Sequence, residues 1–481
     1  MTFIDLYSIL PVLVLVLWAL FLLLADLWAS RKFPALTPIL AVVGLLASAV
    51  LAIAQINKPQ AAFGGMIRVD GFSVFLTILF ALTGIATIAL AYDSVKRFQA
   101  HRGEFYVLLL LSISGMMLMG AAGDLIIVFL ALELLSIPLY IMTAMDFHRI
   151  EAREASLKYF LLGTFASAIL LFGTGLIYGA TRTTNLYAIM DAINIGEINW
   201  TLMILGSALL IVGFGFKVAA VPFQWWTPDV YHGAASPVTA FMSVGAKAAG
   251  FAALIRVFSL DFVSLSDEIT PIFWALAVLT MIVGNITALA QSNLKRMLAY
   301  SSIAHAGYIL MAFVSFGNDA VRSDSIASAL FYLAAYAATS LGAWAVLIAV
   351  EKEDGTGNEI NDLAGLGKSA PWLAAAMAIF MFSFTGIPLT LGFWGKFYLF
   401  RTAIYGGNVA LAVIGLLTSL VSAYYYLRVI IKMYFQDGEA KANKNGLTYL
   451  VAVIAALVVV GLALIPELLY RFAGGGFIAG L

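Results

Sequence analysis

Gly213-Phe214-Gly215-Phe216-Lys217-Val218-Ala219-Ala220-Val221-Pro222-Phe223 decides how the rest of the chain is read. A lysine sits inside an apolar run, glycines precede it, and a proline follows five residues later. In a membrane, a central charge is costly and marks a pathway or a paired site. Glycine and proline beside it predict a helix interrupted at membrane depth. Such a break is tolerated only where it lines a protein interior or a wet cavity.

The composition agrees with a membrane setting. Of 481 residues, 63% are hydrophobic and 11% are charged, whereas soluble domains are about a quarter charged. No single soluble core could hide this much apolar surface, so the expected fold is an all-α polytopic membrane protein. A formal net charge of zero gives no sign of a nucleic-acid partner. The absence of cysteine removes thiolate metal and iron–sulfur sites, disulfides and thiol catalysis from this chain. Four scattered histidines (His101, His148, His232, His305) do not suggest a histidine-rich metal or haem site. Met1 to Asp5 has no basic n-region, and the apolar run after it is long enough to span, so no cleavable signal is expected.

A helix needs about 20 apolar residues to cross the hydrocarbon. Charge-free runs of that kind lie at 6–25, 33–57, 71–92, 105–123, 159–181, 198–216, 269–294, 325–350, 369–395, 402–427 and 445–466. Three more spans appear when helices with polar interiors are admitted: 125–145 with Glu133, 237–260 with Lys247 and Arg256, and 298–316 with His305. That makes fourteen. The 369–395 run continues to Tyr398 across Gly386-Ile387-Pro388 and reads as one broken helix.

Fourteen lysines and arginines, among them Arg31, Lys32, Lys295 and Lys444, fall in odd-numbered loops. Six fall in even-numbered loops and the C-terminus. The odd loops are therefore expected in the cytoplasm, with both termini on the outer side. Glu351–Lys368 is charged and glycine-rich and reads as an exposed loop. No segment is long enough to carry a nucleotide or flavin domain.

The buried polar residues suggest an internal repeat. Glu133 and His305, Lys217 and Lys396, and Lys247 and Arg428 are separated by near-equal offsets. This predicts two five-helix repeats with broken helices 7 and 12. An odd number of helices per repeat makes the copies inverted, as in transporters with broken helices and charged sites at the midplane. The expected division is 1–104 for helices 1–3, 105–260 for the first repeat, 261–435 for the second, and 436–481 for the last helix.

Glu133 is the only carboxylate deep in a predicted span, so it must be protonated or paired with a cation. Lys217 and Lys247 are the obvious partners, and a static ion pair is the competing reading. Lys217, Lys247 and Lys396 lie at membrane depth. Lysine can be switched between charged and neutral states, which arginine cannot, and a chain of such groups meets the need of a proton relay. Snorkelling is the competing reading for Lys396. His305 can both donate and accept, and a satisfied packing residue is the competing reading. Arg256, Arg428 and Lys432 read as snorkelling residues, and Trp225–Trp226 as interfacial anchors.

The stretch FKVAAVPFQWWTPDVYHGAASPVTAFMSVGAKAAGF resembles the antiporter-like membrane subunits of respiratory complex I. So do ALELLSIPLY, GNITALAQSNLKRMLAYSSIAHAGY and FTGIPLTLGFWGKFY. FMSVGAK before Lys247, lysine at 396 and the absence of a long lateral helix point to the N-type among them, as do RVDGFS and GEFYVLLLL. The resemblance implies a proton relay. Glu133 would pair with and tune Lys217, Lys247 would pass the proton toward the centre, His305 would continue the path, and Lys396 would reach the outer side. It also implies a bacterial inner-membrane location with M-type and K-type neighbours. Flavin and iron–sulfur clusters would reside in partner subunits, and quinone would bind elsewhere in the complex. Three alternatives stay open: a subunit of a multi-subunit cation/proton antiporter, a complex I relative with another electron donor, and a membrane scaffold with static pairs.

Overall fold

The computed structural model describes residues 2–29, 35–56, 58–98, 102–196, 198–260, 265–352, 355–443 and 446–475. Arg31, Lys32 and Lys444 of the loop comparison, and His101, lie outside them. The first spans are α1 (Phe3–Ala29), α2 (Leu36–Ile53), α3 (Gly71–Ser94), α4 (Arg102–Gly120) and α5 (Leu125–Ala144). A short hairpin, β1 (Gln60–Ala62) with β2 (Ile67–Val69), joins α2 to α3. Then follow α6 (Ile150–Thr181), α7 (Leu186–Ile195), α8 (Trp200–Val218), α9 (Trp226–Gly233), α10 (Ser236–Phe241) and α11 (Lys247–Leu260). The chain continues through α12 (Ser266–Leu289), α13 (Leu294–Leu310), α14 (Asp319–Val350), α15 (Leu366–Ser369), α16 (Pro371–Thr385) and α17 (Leu391–Tyr405). It ends with α18 (Val409–Phe435), α19 (Gly446–Leu464) and α20 (Pro466–Gly474).

Thirteen helices among the described residues are long and apolar enough to cross a membrane, one of them formed by α10 and α11 joined through a π turn. The broken pair α16–α17 supplies a fourteenth span. The fold is the expected all-α polytopic bundle, interrupted at helices 7 and 12.

Both interruptions have local causes. α8 ends with Ala219 in the left-handed region at φ 61°, its N–H bonded to Gly215 and Phe216 carbonyls. α16 ends with Gly386 at φ 88°, its N–H bonded to Phe382 and Ser383 carbonyls. Glycine enters that region without a Cβ penalty, and Pro388 lacks the N–H needed to continue a ladder. The span after each break resumes a few residues later.

The α10–α11 span is wholly buried, and α13 and α14 are nearly so, whereas α1 and α19 show most of their surface outward. Large exposed apolar residues such as Leu24, Phe165, Leu420 and Leu457 form the outer face, as a membrane-embedded bundle requires. The interior is held by close helix approach. A Cβ on Gly284 of α12 would lie 2.6 Å from the Ala304 N on α13, and one on Gly307 of α13 would lie 2.6 Å from the Met281 N on α12.

Several boundaries differ from the charge-free runs. α6 begins at Ile150 rather than 159, and α14 at Asp319 rather than 325. Glu154 and Lys158 sit inside α6 as an i,i+4 ion pair at 2.7 Å, an arrangement that supports a solvated first turn. α18 runs from Val409 to Phe435, so residues 402–405 belong to α17. The segment between α6 and α8 contains the short helix α7, with Leu186, Ile189 and Ile193 buried on one face. Glu351 is not exposed as expected. It is 3% exposed and accepts a hydrogen bond from the Ser236 hydroxyl at 2.8 Å, so the loop it opens is pinned to the start of α10.

Candidate functional site

Lys217, Lys247, His305 and Lys396 are all buried, with 3–5% of their surface exposed. The three lysines are each delivered by a departure from regular helix, whereas His305 lies within the regular helix α13. Lys217 lies in the last turn of α8, immediately before the first interruption. Lys247 follows directly on the π turn Met242–Ala246, a local widening common at functional sites. Lys396 lies on α17, but its ammonium folds back across the break. It donates to the Phe384 carbonyl at 2.8 Å, the Thr385 carbonyl at 2.9 Å and the Ser419 hydroxyl at 2.7 Å. Both Lys217 and Lys396 thus occupy the C-terminal end of a half-helix, where unpaired carbonyls and the helix dipole favour a cation. Their opposite placement relative to their prolines in the sequence conceals this equivalence.

The partners of these lysines are hydroxyls and carbonyls. Lys217 Nζ donates to the Ser136 hydroxyl on α5 at 2.8 Å and to the Tyr159 hydroxyl on α6 at 3.4 Å. Lys247 Nζ donates to the Ser302 carbonyl at 2.6 Å and the Ser302 hydroxyl at 2.8 Å. Among the described residues, no carboxylate forms an ion pair with any of the three.

The expected contact between Glu133 and Lys217 is therefore absent. Glu133 is half-buried, and its Oε1 is buried without a hydrogen-bond partner. It stands one turn before Ser136 on α5, the residue whose hydroxyl receives Lys217. The serine, not the carboxylate, holds the ammonium.

The groups form a row. Gly250, one turn after Lys247, packs on the stem of Lys217: a Cβ there would lie 3.2 Å from Lys217 Cγ. Ser302, which holds Lys247, is one turn before His305 on α13. His305 Nδ1 faces the Tyr332 hydroxyl at 2.6 Å, and Nε2 faces the Tyr426 hydroxyl at 3.1 Å. The Phe384 ring lies 5.2 Å from the His305 ring, and the Phe384 carbonyl receives Lys396. His305 bonds neither lysine directly.

Expectations about several flanking residues are overturned. Arg256 does not snorkel. Its side chain is fully buried and makes a bidentate pair with Asp70 at 2.6 and 2.7 Å. Trp226 is not an interfacial anchor. It is 4% exposed, stacks on Tyr159 with centroids 4.7 Å apart, and donates to the Phe216 carbonyl at 3.0 Å. It therefore walls the Lys217 box, while Trp225 beside it is exposed. Arg428 caps the end of α12, donating to the Leu289 and Gln291 carbonyls. Lys295, read as a loop residue, is buried at the start of α13 and donates to the Ala234 carbonyl at 2.9 Å.

The residues missed from the sequence carry hydroxyls rather than formal charge: Ser136, Tyr159, Ser302, Tyr332, Ser419 and Tyr426. Their signal was helical spacing, since Ser136 lies three after Glu133 and Ser302 three before His305. Among the described residues, no group of three or more His, Cys, Asp or Glu side chains could hold a metal.

The transmembrane family of NADH:quinone oxidoreductase and Mrp antiporters matches residues 122–422. An NADH-quinone oxidoreductase subunit N from Trichlorobacter lovleyi is 42% identical over 474 residues, which is 98% of this chain and 96% of that relative. The subunit N of Chloroflexus aggregans is 42% identical over 472 residues, covering 96% and 95% of the two chains. A chain of the respiratory complex I from Thermus thermophilus with bound aureothin matches with a TM-score of 0.83 at 34% identity, covering 97% of this chain and all of that one. The chain belongs to the NADH:quinone oxidoreductase/Mrp antiporter family of transmembrane proteins.

Proposed function

We infer that this chain is the N-type, proton-translocating membrane subunit of an NADH-quinone oxidoreductase, and that protons cross it along Lys217, Lys247, His305 and Lys396. One observation carries the relay reading. Three lysines are buried across the bundle and held by hydroxyls, carbonyls and, for Lys217 and Lys396, a tyrosine ring, with no carboxylate in ion-pair contact among the described residues. A static scaffold would be expected to pair such charges with carboxylates, because an unpaired buried charge is costly. A relay instead needs groups that can gain and lose a proton between equivalent neighbours.

Each residue has a role set by its contacts. Glu133 biases the charge of Lys217 through space. Lys217 exchanges partners at the first interruption, with Ser136 and Tyr159 holding its ammonium. Lys247 receives the proton at the π turn and presents it to the Ser302 hydroxyl. His305 accepts on one nitrogen and donates from the other. Lys396 takes it at the second interruption and faces the outer side. The two-repeat division at 105–260 and 261–435 organises this row: α6 and α14 are both 32 residues long, and each precedes a broken span.

This chain itself carries out no redox chemistry in this reading. Flavin and iron–sulfur clusters belong to partner subunits, quinone binds elsewhere, and M-type and K-type subunits flank it in a bacterial inner membrane. The odd loops face the cytoplasm and both termini the outer side.

Lys217→Ala in the assembled complex tests the relay. NADH oxidation coupled to proton pumping in membrane vesicles is expected to fall, by about 10²-fold if Lys217 acts as an obligatory acid–base group. Undiminished pumping and electron transfer would remove Lys217 from the path.

A further inference from the structure

α9 is the element that closes the Lys217 site. It is eight residues long, too short to be stable on its own in water, so its position is set by what it touches. Its first residue, Trp226, stacks on Tyr159, whose hydroxyl helps hold the Lys217 ammonium, and donates to the Phe216 carbonyl beside Lys217. One turn later, Asp229 uses both of its carboxylate oxygens. Oδ2 receives Lys158 of α6 at 2.8 Å, and Oδ1 receives Arg296 of α13 at 3.0 Å. Just past α9, the Ala234 carbonyl receives Lys295, the neighbour of Arg296. At Gly233 the chain runs against α6 so closely that a Cβ would lie 2.3 Å from the Glu151 carbonyl oxygen.

Asp229 stands at a boundary between dry and wet. Tyr159, Lys217 and Trp226 are no more than 5% exposed. The side chain of Asp229 is 38% exposed, that of Lys158 41% and that of Arg296 32%. Exposed ion pairs are individually weak and are screened by salt, which suits a catch that opens rather than a fixed tie. Opening also strands no charge. Lys158 holds a second carboxylate, Glu154 on its own helix, at 2.7 Å, and Asp229 and Arg296 already reach water. A buried pair such as Arg256–Asp70 has no such freedom. The catch also spans both halves of the row: α6 supplies Tyr159 to Lys217, and α13 supplies Ser302 to Lys247.

We propose that Asp229 is a positioning residue that latches α9 over Lys217, and that breaking its pairs with Lys158 and Arg296 opens the Lys217 site to water from the side on which α6 and α13 begin. The latch rests on the relay reading for its functional meaning, since it names the point at which the first lysine meets bulk water. Access to Lys217 is a matter of geometry, however, and is measurable whether or not Lys217 carries protons.

The chain has no cysteine, so Lys217→Cys gives it a single thiol. Assembled complex in vesicles is treated with 2-aminoethyl methanethiosulfonate from either face, and the label on this chain is quantified by mass spectrometry. Ala220→Cys, fully buried in the interruption, is a second reporter that keeps Lys217. Labelling is expected to be slow with Asp229 in place and to accelerate by about tenfold in Asp229→Asn, the scale of two exposed ion pairs. The acceleration is expected from one face only, the cytoplasmic one in the orientation proposed above. Asp229→Glu, which can restore both pairs, is expected to return the slow rate. Raised ionic strength is expected to speed labelling with Asp229 in place and to change little in Asp229→Asn. Equal rates with and without the carboxylate would overturn the proposal. So would acceleration from both faces, which reports a loosened bundle rather than an opened latch. Arg296→Gln cuts the α13 side of the latch alone and supplies the same comparison where Asp229→Asn fails to assemble. Normal pumping by Lys217→Ala would instead remove Lys217 from the relay and leave the labelling result standing.

Discussion

Arg256→Ala is expected to destabilise the protein by about 3–5 kcal/mol, because it leaves a buried carboxylate without its cation. Arg256 is fully buried near the end of α11, and its guanidinium meets Asp70 through two bonds at 2.6 and 2.7 Å. It also donates to the Gly120 carbonyl at the end of α4, at 2.9 Å from Nε and 2.8 Å from Nη2. Asp70 is at the same time the N-cap of α3, in a reciprocal capping box with Ser73. One guanidinium thus ties together α3, α4 and α11. Arg256→Lys is expected to recover little, since an ammonium cannot make the planar fork. The double change Asp70→Asn with Arg256→Met is expected to be less damaging than Arg256→Ala alone, because no charge is then stranded. The thermal midpoint of the purified complex and its yield on native gels measure both. Yields equal to the native protein for Arg256→Ala would show that the pair carries no such weight. The pair also has a functional bearing: α11 begins at Lys247, so Arg256 anchors the far end of the helix that presents the central lysine.

Lys247→Met is expected to lower coupled turnover by about 10²-fold or more, the scale of a lost acid–base group, while leaving the complex assembled. Methionine is close to lysine in length and adapts to irregular space, so the packing around the π turn is retained. What is lost is a donor to the Ser302 carbonyl and hydroxyl and the ammonium that stands between Lys217 and His305 in the row. Assembly is read on native gels, and turnover from NADH oxidation with simultaneous proton uptake in vesicles. Full pumping by assembled Lys247→Met complex would take Lys247 out of the path.

Formal charge made much of this legible in the sequence. Apolar runs bounded by charges located the spans, and glycine and proline near Lys217 and Lys396 located both interruptions. The same reliance on charge caused the errors. Glu154 and Lys158 sit within α6 because the first turns of a long helix extend into water, so charge-free runs cut it short. Lys295 and Arg256 were assigned to loops and helix ends because one-dimensional position does not reveal which residue will fold inward to meet a carbonyl or Asp70. The site itself was half visible. The lysines and His305 stood out, but the groups that hold them are serines, tyrosines and backbone carbonyls, which are common in any membrane helix. The equivalence of Lys217 and Lys396 was obscured because one precedes its break and the other reaches back over it.

The central claim is that the buried lysines change their protonation state, rather than merely supplying fixed positive charge. Lys247→Arg separates the two, because arginine keeps the charge but does not release its proton. The measurement is the number of protons pumped per NADH oxidised, in vesicles containing assembled Lys247→Arg complex. A relay predicts that pumping is lost as severely as in Lys247→Met. Native stoichiometry and rate with arginine at this position would contradict it and leave Lys247 as a fixed charge.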